Sequence, residues 1–197
     1  MNEIRLTTPI PEKSARALKV GDRVLISGTI VTARDRAHRW LVEEAREADL
    51  PASLAGGVIY HCGPIVRKGA SGWELIAAGP TTSERMNTYA PRVLSQFGVR
   101  ALIGKGGMNT AVLDALKDCG AVYLSAVGGA AQVLAAKVVR VSGAAKVEEF
   151  GVPEALWVFE VKDFPAIVTM DSRGRSLHEE SAADSRRRLE RLLNDKA

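Results

Sequence analysis

Two glycine-rich turns carrying cations and hydroxyls stand out in the segment Gly79–Met108. The first turn, Gly-Pro-Thr-Thr-Ser-Glu-Arg-Met, contains Thr81, Thr82 and Arg85, and the second, Gly-Lys-Gly-Gly-Met, contains Lys105. Arginine offers a planar fork that holds a carboxylate through two hydrogen bonds, whereas lysine acts as a point charge. The segment therefore suits the binding of a small molecule rich in carboxylates.

The second turn is predicted to lie between a strand and a helix, where Gly106 and Gly107 would turn backbone N–H groups toward an anion. A phosphate-binding loop is excluded by spacing, because Gly98 lies six positions before Gly104 and no serine or threonine follows the lysine. A tight turn with an exposed lysine would be the simpler interpretation if Lys105 stood alone.

Arg85 is predicted in the first turn of a helix, where the dipole disfavours a cation by about 0.3–1 kcal/mol. A bound anion would remove that conflict, although a capped helix with a solvated arginine is the alternative. In a parallel β–α–β arrangement both turns face the same edge of the sheet, so Thr81, Arg85 and Lys105 are expected at one crevice. Gly128 and Gly129 repeat the strand–glycine–helix pattern. They are expected to form either a wall of the crevice or a close-packed turn.

A third cation, Arg34, follows another predicted strand in the run Thr-Ala-Arg-Asp-Arg-Ala-His. A dicarboxylate needs a cationic partner at each end, which gives Arg34 a role beside Arg85 and Lys105. Asp35 is expected to cap the helix that follows, with His38 one turn inside it. His38 is read as structural or as a residue that supports the site without touching the ligand.

His61 and Cys62 lie at the end of another predicted strand, in the run Tyr-His-Cys-Gly-Pro. Histidine has a suitable pKa for proton transfer near neutrality. A Cys–His nucleophile pair is disfavoured, since adjacent residues of a strand point to opposite faces. His61 is therefore also read as supporting or structural.

Hydrophobic periodicity predicts the elements that would position these residues. Strands are predicted at Val24–Thr32, Val58–Tyr60, Trp73–Ala78, Val99–Ile103, Ala121–Val127, Val138–Val141, Trp157–Val161 and Ala166–Met170, with a turn at Gly69 and Gly72. Helices are predicted from Asp35 to Pro51, from a capping box at Thr81–Glu84 to Gly98, over Asn109–Asp118, from Gly128 to Val138, and over His178–Asn194. The alternation favours parallel strands first and a more mixed sheet later.

Composition limits the classes of function. The chain has 197 residues, 46% of them apolar and 25% charged, which fits a globular domain. The chain has a net charge of +4 and a pI near 9.2, but its basic residues do not form a tract. Aromatic residues, at 5%, are too few for a base-stacking surface. Nucleic-acid binding is therefore disfavoured. No apolar run approaches about 18 residues, and no secretory signal is evident, so we expect no membrane partner and a cytoplasmic location.

The two cysteines, Cys62 and Cys119, lie 57 residues apart without a Cys-x-x-Cys or Cys/His cluster. A self-contained metal or iron–sulfur site is therefore disfavoured. We expect two reduced, partly buried thiols, and a disulfide remains the alternative.

From about Leu6 to about Leu177 the chain resembles the β-type subunit, or C-terminal half, of iron–sulfur hydro-lyases, the class I fumarases and L-tartrate dehydratases. The motifs that carry the resemblance are Thr-Ala-Arg-Asp-x-Ala-His, His-Cys-Gly-Pro, Gly-Pro-Thr-Thr-Ser-x-Arg-Met, Gly-Lys-Gly-Gly-Met and Glu-Val-Lys-Asp-Phe-Pro. They occur in the family's order and at similar spacing.

The sequence predicts a single α/β domain over residues 1–177 with a partly parallel sheet, followed by a charged helix over 178–197. The resemblance implies that this domain has a swivelling β/β/α three-layer architecture. It implies that Arg34, Arg85 and Lys105 bind carboxylates and that the Thr81 hydroxyl takes part in proton transfer. From the two turns themselves, Thr81, Thr82, Gly106 and Gly107 are also expected to bind the substrate. Thr81, Arg85 and Lys105 are thus the expected catalytic residues.

The implied reaction is the reversible hydration of a C4 dicarboxylate, fumarate to malate or the tartrate equivalent. A [4Fe–4S] cluster is expected on a partner α-type subunit, with this chain holding no metal. A heterotetramer is expected, or a homodimer when the chain is isolated. A non-catalytic dicarboxylate-binding or regulatory module is the alternative.

Overall fold

The computed structural model describes residues 3–69 and 72–194, and its main element is a seven-stranded sheet. The strands are β1 (Glu3–Thr7), β2 (Arg23–Thr32), β3 (Val58–Tyr60), β4 (Ile65–Gly69), β5 (Gly72–Ala77), β6 (Ala101–Gly104), β7 (Val122–Ser125), β8 (Val138–Ala145) and β9 (Leu156–Met170). The α-helices are α1 (Glu12–Ala17), α2 (Asp35–Glu43), α3 (Ala90–Phe97), α4 (Thr110–Cys119), α5 (Ala131–Ala135), α6 (Val147–Phe150) and α7 (Leu177–Asn194). Short 3₁₀ helices cover Glu47–Asp49 and Ser83–Met86.

The sheet has the strand order β1-β2-β3-β6-β7-β9-β8, with β4 and β5 forming a separate hairpin. The pairs β1–β2, β2–β3, β3–β6 and β6–β7 are parallel, whereas β9 runs antiparallel to β7, β2 and β8. Because β9 pairs with both β7 and β2, five strands close into a barrel-like sheet. The predicted parallel strands followed by a more mixed sheet are confirmed.

The central strands are buried on both faces. In β3, Val58 and Tyr60 join the core inside the closed sheet, while Ile59 joins a second core against the helices. Leu102 of β6 and Tyr123 of β7 also face the helices, following the two-residue period of a strand. With helices α2, α3 and α4 over two β layers, the predicted three-layer α/β class is confirmed.

Several predicted boundaries are wrong, because the periodicity of apolar residues locates an element better than its ends. Helix α2 ends at Glu43, before Pro51, and α5 ends at Ala135, before Val138. The two predicted strands at the end of the chain are one strand, β9, which continues through a residue at positive φ, Asp163. Strands β1 and β4 and helix α1 are further elements that the periodicity did not predict.

The capping box predicted at Thr81–Glu84 is also wrong. Thr82 precedes only the 3₁₀ helix Ser83–Met86 and makes no side-chain capping bond, and α3 begins at Ala90. The predicted end of this helix at Gly98 is confirmed, because Gly98 adopts the left-handed conformation that glycine favours at a helix end.

The charged tail forms helix α7, which begins one residue before the predicted start and has no buried residue. The last three predicted residues, 195–197, lie outside the described part, as do residues 70 and 71 of the predicted Gly69–Gly72 turn. The division of the chain at 177 stays a prediction. Among the described helices, none has the length and apolarity that crossing a bilayer requires.

Candidate active site

The parallel strands β2, β3, β6 and β7 end at one edge of the sheet, and each is followed by one of the predicted site segments. The segment that begins at Thr81 is inserted between two of these ends. The Thr81 amide donates to the His61 carbonyl over 2.7 Å, and the Thr81 carbonyl accepts from the Lys105 amide over 3.2 Å. The 3.0 Å bond from the Ser83 amide to the Lys105 carbonyl completes a short parallel bridge, so the two glycine-rich turns are neighbours.

Arg85 lies on the 3₁₀ helix Ser83–Met86 and is paired with Asp35 at the start of α2. Its Nε donates to Asp35 Oδ1 over 2.9 Å, and its Nη2 donates to Asp35 Oδ2. These bonds lower the pKa of the Asp35 carboxyl below its ordinary value and raise the pKa of Arg85. The expectation that Asp35 caps α2 is wrong, because Arg34 occupies the cap position and the carboxylate turns to Arg85 instead.

Arg34 lies near the same carboxylate and is paired with a second acid, Glu154. Its Nη2 lies 4.0 Å from Asp35 Oδ2 and 3.1 Å from Glu154 Oε1, and its side chain is 21% exposed. Its Nε is buried and has no hydrogen-bond partner among the described residues. A Cβ at Gly63 would overlap Arg34 Nη1, so this glycine leaves room for the guanidinium. Arg34 and Arg85 are therefore brought together through Asp35, while Glu154 is a neighbour that the sequence did not reveal.

Lys105 is half-buried at the end of β6, and its Nζ donates to the Thr82 hydroxyl over 3.1 Å. A Cβ at Gly128 would lie 3.5 Å from Lys105 Cδ, so the loop after β7 lies beside the lysine stem. The structure thus places Gly128 next to Lys105.

Three further glycines of the predicted site adopt positive φ, at 83° for Gly106, 77° for Gly107 and 84° for Gly129. Backbone of this kind favours glycine. Gly106 and Gly129 are exposed, whereas Gly107 is buried, and a Cβ there would lie 2.6 Å from the His178 ring of α7.

Thr81 and Thr82 are both half-buried at the meeting point of these segments. Thr82 contacts the lysine, whereas the Thr81 hydroxyl has no hydrogen bond among the described residues and its backbone is fixed on both sides. A cation pair around Asp35, a third cation and two hydroxyls thus share one edge, which is an arrangement able to bind an anion with two charged ends.

His38 and His61 lie beneath this edge and are fully buried, with ring centroids 5.0 Å apart. His38 Nδ1 lies 3.1 Å from the Arg34 carbonyl, which can only accept, so His38 carries its proton on Nδ1. Burial lowers the pKa of His38 to about 4 and that of His61 well below its ordinary value. Both Nε2 atoms lack a partner among the described residues. Both histidines are therefore buried below the site, and their supporting role stays a prediction.

Two buried residues of the site, Ser83 and Tyr123, were given no role from the sequence. Ser83 Oγ lies 2.8 Å from His61 Nδ1 and accepts a hydrogen bond from the Tyr123 hydroxyl over 2.9 Å. The apolar strand pattern around Tyr123 reveals a core position but not the direction of its hydroxyl. The adjacent motif residues Thr81 and Thr82 could have drawn attention to Ser83.

Neither cysteine forms a disulfide, in agreement with the prediction of two separate thiols. Cys62 is fully buried, which raises the pKa of its thiol to about 12, and Cys119 ends helix α4. Among residues 3–69 and 72–194, no three His, Cys, Asp or Glu side chains are grouped to hold a metal ion. These donors do not fit an iron–sulfur cluster, which needs several thiolates at one place.

Comparison with known proteins identifies the family. Residues 1–181 match the family model described as "Fumarase C-terminus". The chain is 50% identical over 187 residues to a Geobacillus stearothermophilus protein whose name places it among class I fumarate hydratases; the match covers 94% of this chain but 35% of that protein. It is 41% identical over 173 residues to the "L(+)-tartrate dehydratase subunit beta" of Escherichia coli (strain K12), covering 87% and 85% of the two chains. The chain therefore spans about a third of the first relative and most of the second.

Proposed function

The chain belongs to the fumarase C-terminus family, and from this premise we propose that it is the β-type subunit of a hydro-lyase acting on a C4 dicarboxylate. Relatives named as a fumarate hydratase and as a tartrate dehydratase β subunit support this class of reaction. Fumarate hydration to malate is the first reaction to test and tartrate dehydration the second. A cytoplasmic location is part of the same proposal.

The observation that carries the proposal is the pairing of Arg34 and Arg85 around Asp35. Asp35 engages Arg85 through Nε and Nη2, which leaves the Nη1–Nη2 edge of the guanidinium for a second carboxylate. Lys105, which bonds to Thr82 three residues before Arg85, supplies a further charge. We assign the two arginines and the lysine to the two carboxylates of the substrate.

The chemical difficulty is the removal of a proton from a carbon beside a carboxylate, because negative charge accumulates there in the transition state. Fixed cations stabilise that charge, and loss of one such donor typically costs about 2.7–4 kcal/mol. We assign the proton transfer to the Thr81 hydroxyl. A free threonine is a weak base, so this role needs the positive field of Arg85 and Lys105.

A partner subunit is the second part of the proposal. The described residues do not provide a cluster-binding set, and the name of the Escherichia coli relative specifies a β subunit. We propose that an α-type subunit carries a [4Fe–4S] cluster and that the active site forms between the two chains. A dimer of such heterodimers is the proposed assembly, with a homodimer for the isolated chain.

The test is to purify the chain and assay it alone and after addition of the α-type subunit. The partner is sought in the neighbouring reading frame, as a protein of three well-spaced cysteines. Hydration of fumarate or dehydration of tartrate that requires both chains supports the proposal. Full activity of the isolated chain would refute the need for a partner. Binding of dicarboxylate without activity in the mixture would favour a regulatory module.

A further inference from the structure

We propose that Ser83, His61 and Tyr123 form a buried positioning unit that holds Thr81 in place for proton transfer. The inference rests on the proposed function, in which the Thr81 hydroxyl acts at the substrate carbon. None of the three side chains is expected to touch the substrate, because all three residues are fully buried.

Ser83 is the centre of the unit, because it contacts one side chain within β7 and another just after β3. Its Oγ accepts from the Tyr123 hydroxyl over 2.9 Å and lies 2.8 Å from His61 Nδ1. Burial holds the Tyr123 hydroxyl in its neutral form, raising its pKa to about 12. The tyrosine therefore stays a hydrogen-bond donor to Ser83 across the neutral pH range.

The backbone connects this unit directly to Thr81. The His61 carbonyl accepts from the Thr81 amide over 2.7 Å, and the Thr81 carbonyl accepts from the Lys105 amide over 3.2 Å. The Lys105 carbonyl in turn accepts from the Ser83 amide over 3.0 Å. The Thr81 backbone is thus bonded to His61 and to Lys105. Ser83 contacts His61 through its side chain and Lys105 through its backbone. A displacement of Ser83 would shift both hydrogen bonds of the Thr81 backbone.

The space around Ser83 is shaped for this contact. A Cβ at Gly104 would overlap Ser83 Oγ and would lie 3.1 Å from His61 Nδ1 and 3.2 Å from the Tyr123 hydroxyl. A glycine at the end of β6 therefore leaves room for all three polar groups. An apolar side chain in place of Ser83 could fill the same volume without burying a hydroxyl, so packing alone does not require a serine at this position.

The unit does not satisfy all of its own polar atoms, because His61 Nε2 is buried without a partner among the described residues. A group retained only for stability would be better replaced by an apolar one, since an unpaired buried polar atom is costly. The location of the unit directly below Thr81 gives a functional reason for its polarity.

The two arginines are held by contacts outside this unit, and Lys105 bonds to Ser83 and Thr81 only through its backbone. Arg85 is paired with Asp35 and Arg34 with Glu154, and neither arginine bonds to Ser83, His61 or Tyr123. Disturbing the unit should therefore affect the chemical step more than substrate binding, which is a separable kinetic signature.

The variants are Tyr123→Phe, His61→Leu and His61→Asn, measured in the enzyme assembled with its α-type subunit. Asparagine places an amide where Nδ1 stands, so His61→Asn can still bond to Ser83, whereas leucine cannot. The control is Tyr89→Phe, the same chemical change at a half-buried tyrosine whose hydroxyl has no hydrogen bond among the described residues.

We expect kcat to fall about 10- to 100-fold in Tyr123→Phe and His61→Leu, with KM changed less than about threefold. His61→Asn should recover much of the loss, and Tyr89→Phe should leave both parameters unchanged. Unchanged kcat in variants that only melt at a lower temperature would overturn the inference, because that is the result of a merely structural role.

A second readout separates this inference from the proposed function. Hydrogen exchange of the isolated chain should be faster at the Thr81 and Lys105 amides in Ser83→Ala than in the wild type. The control Ser95→Ala, at an exposed serine of α3, should leave both amides unchanged. A wild-type assembly inactive on fumarate and tartrate would overturn the proposed function, and unchanged exchange in Ser83→Ala would independently overturn the positioning unit.

Discussion

Asp35 and Arg85 form a two-point ion pair between the start of α2 and the 3₁₀ helix after β5, with 2.9 Å between Arg85 Nε and Asp35 Oδ1. The pair fixes the plane of the guanidinium, so that its remaining edge faces a defined direction. Residues 50 positions apart thus orient one side chain of the proposed carboxylate site.

Arg85→Lys keeps the positive charge but loses the planar fork. A lysine ammonium cannot make two parallel hydrogen bonds to Asp35 and, at the same time, two more to a substrate carboxylate. We expect kcat/KM of the assembled enzyme to fall about 100-fold. The matched control is Arg39→Lys, at an exposed arginine of α2 that pairs with Glu43 on the same helix. Near-normal kinetics for Arg85→Lys would remove Arg85 from the proposed site.

Asp35→Asn tests the orientation of the two arginines. The amide has nearly the same shape as the carboxylate but no charge, so Arg85 and Arg34 lose the anion that they share. We expect KM for the dicarboxylate to rise about tenfold, with a smaller change in kcat. An unchanged KM would show that Asp35 does not position the arginines for the substrate, and a decreased KM would show that Asp35 competes with the substrate.

The two buried histidines predict how stability depends on pH. The pKa of folded His38 is lowered to about 4 by burial, from an ordinary value of 6.5. Between these values the unfolded chain binds more protons, so the free energy of unfolding is greatest above about pH 6.5 and falls as the pH decreases toward about 4. The contribution of His38 to this loss is roughly 3 kcal/mol.

His38→Asn should flatten that profile, because asparagine can donate to the Arg34 carbonyl from the same position but does not titrate. Urea denaturation at a series of pH values measures the effect. An unchanged slope between pH 6.5 and 4 would show that His38 does not contribute to it.

Gly104→Ala tests the space around Ser83. The added methyl would overlap Ser83 Oγ inside a buried strand end, so we expect the free energy of unfolding to fall by about 1–3 kcal/mol. The control is Gly143→Ala in β8, where the added Cβ would lie 3.5 Å from Val158 Cγ2, an ordinary contact. Equal midpoints of urea denaturation for the two variants would contradict the close packing at Gly104.

The sequence predicted the fold class and the neighbourhood of the site better than the contacts within it. The strand–glycine–helix repeats implied parallel strands, and the structure confirms that the Thr81 and Lys105 turns meet. The role of Asp35 was wrong, since a capping residue and an ion-pair partner have the same sequence signature. The contact of Glu154 with Arg34 could not be predicted from the local sequence. The two residues are 120 positions apart, and only the folding of the closed sheet places the loop of Glu154 beside Arg34.

The proposed substrate site depends most on three cations that bind one doubly charged ligand. A crystal structure of the assembled enzyme with fumarate or tartrate bound tests it directly. We predict one substrate carboxylate in two-point contact with Arg85, with Arg34 and Lys105 within hydrogen-bond distance of the substrate and the Thr81 hydroxyl beside the carbon that loses its proton. A substrate bound away from Arg34, Arg85 and Lys105, or held only by the partner subunit, would contradict the account.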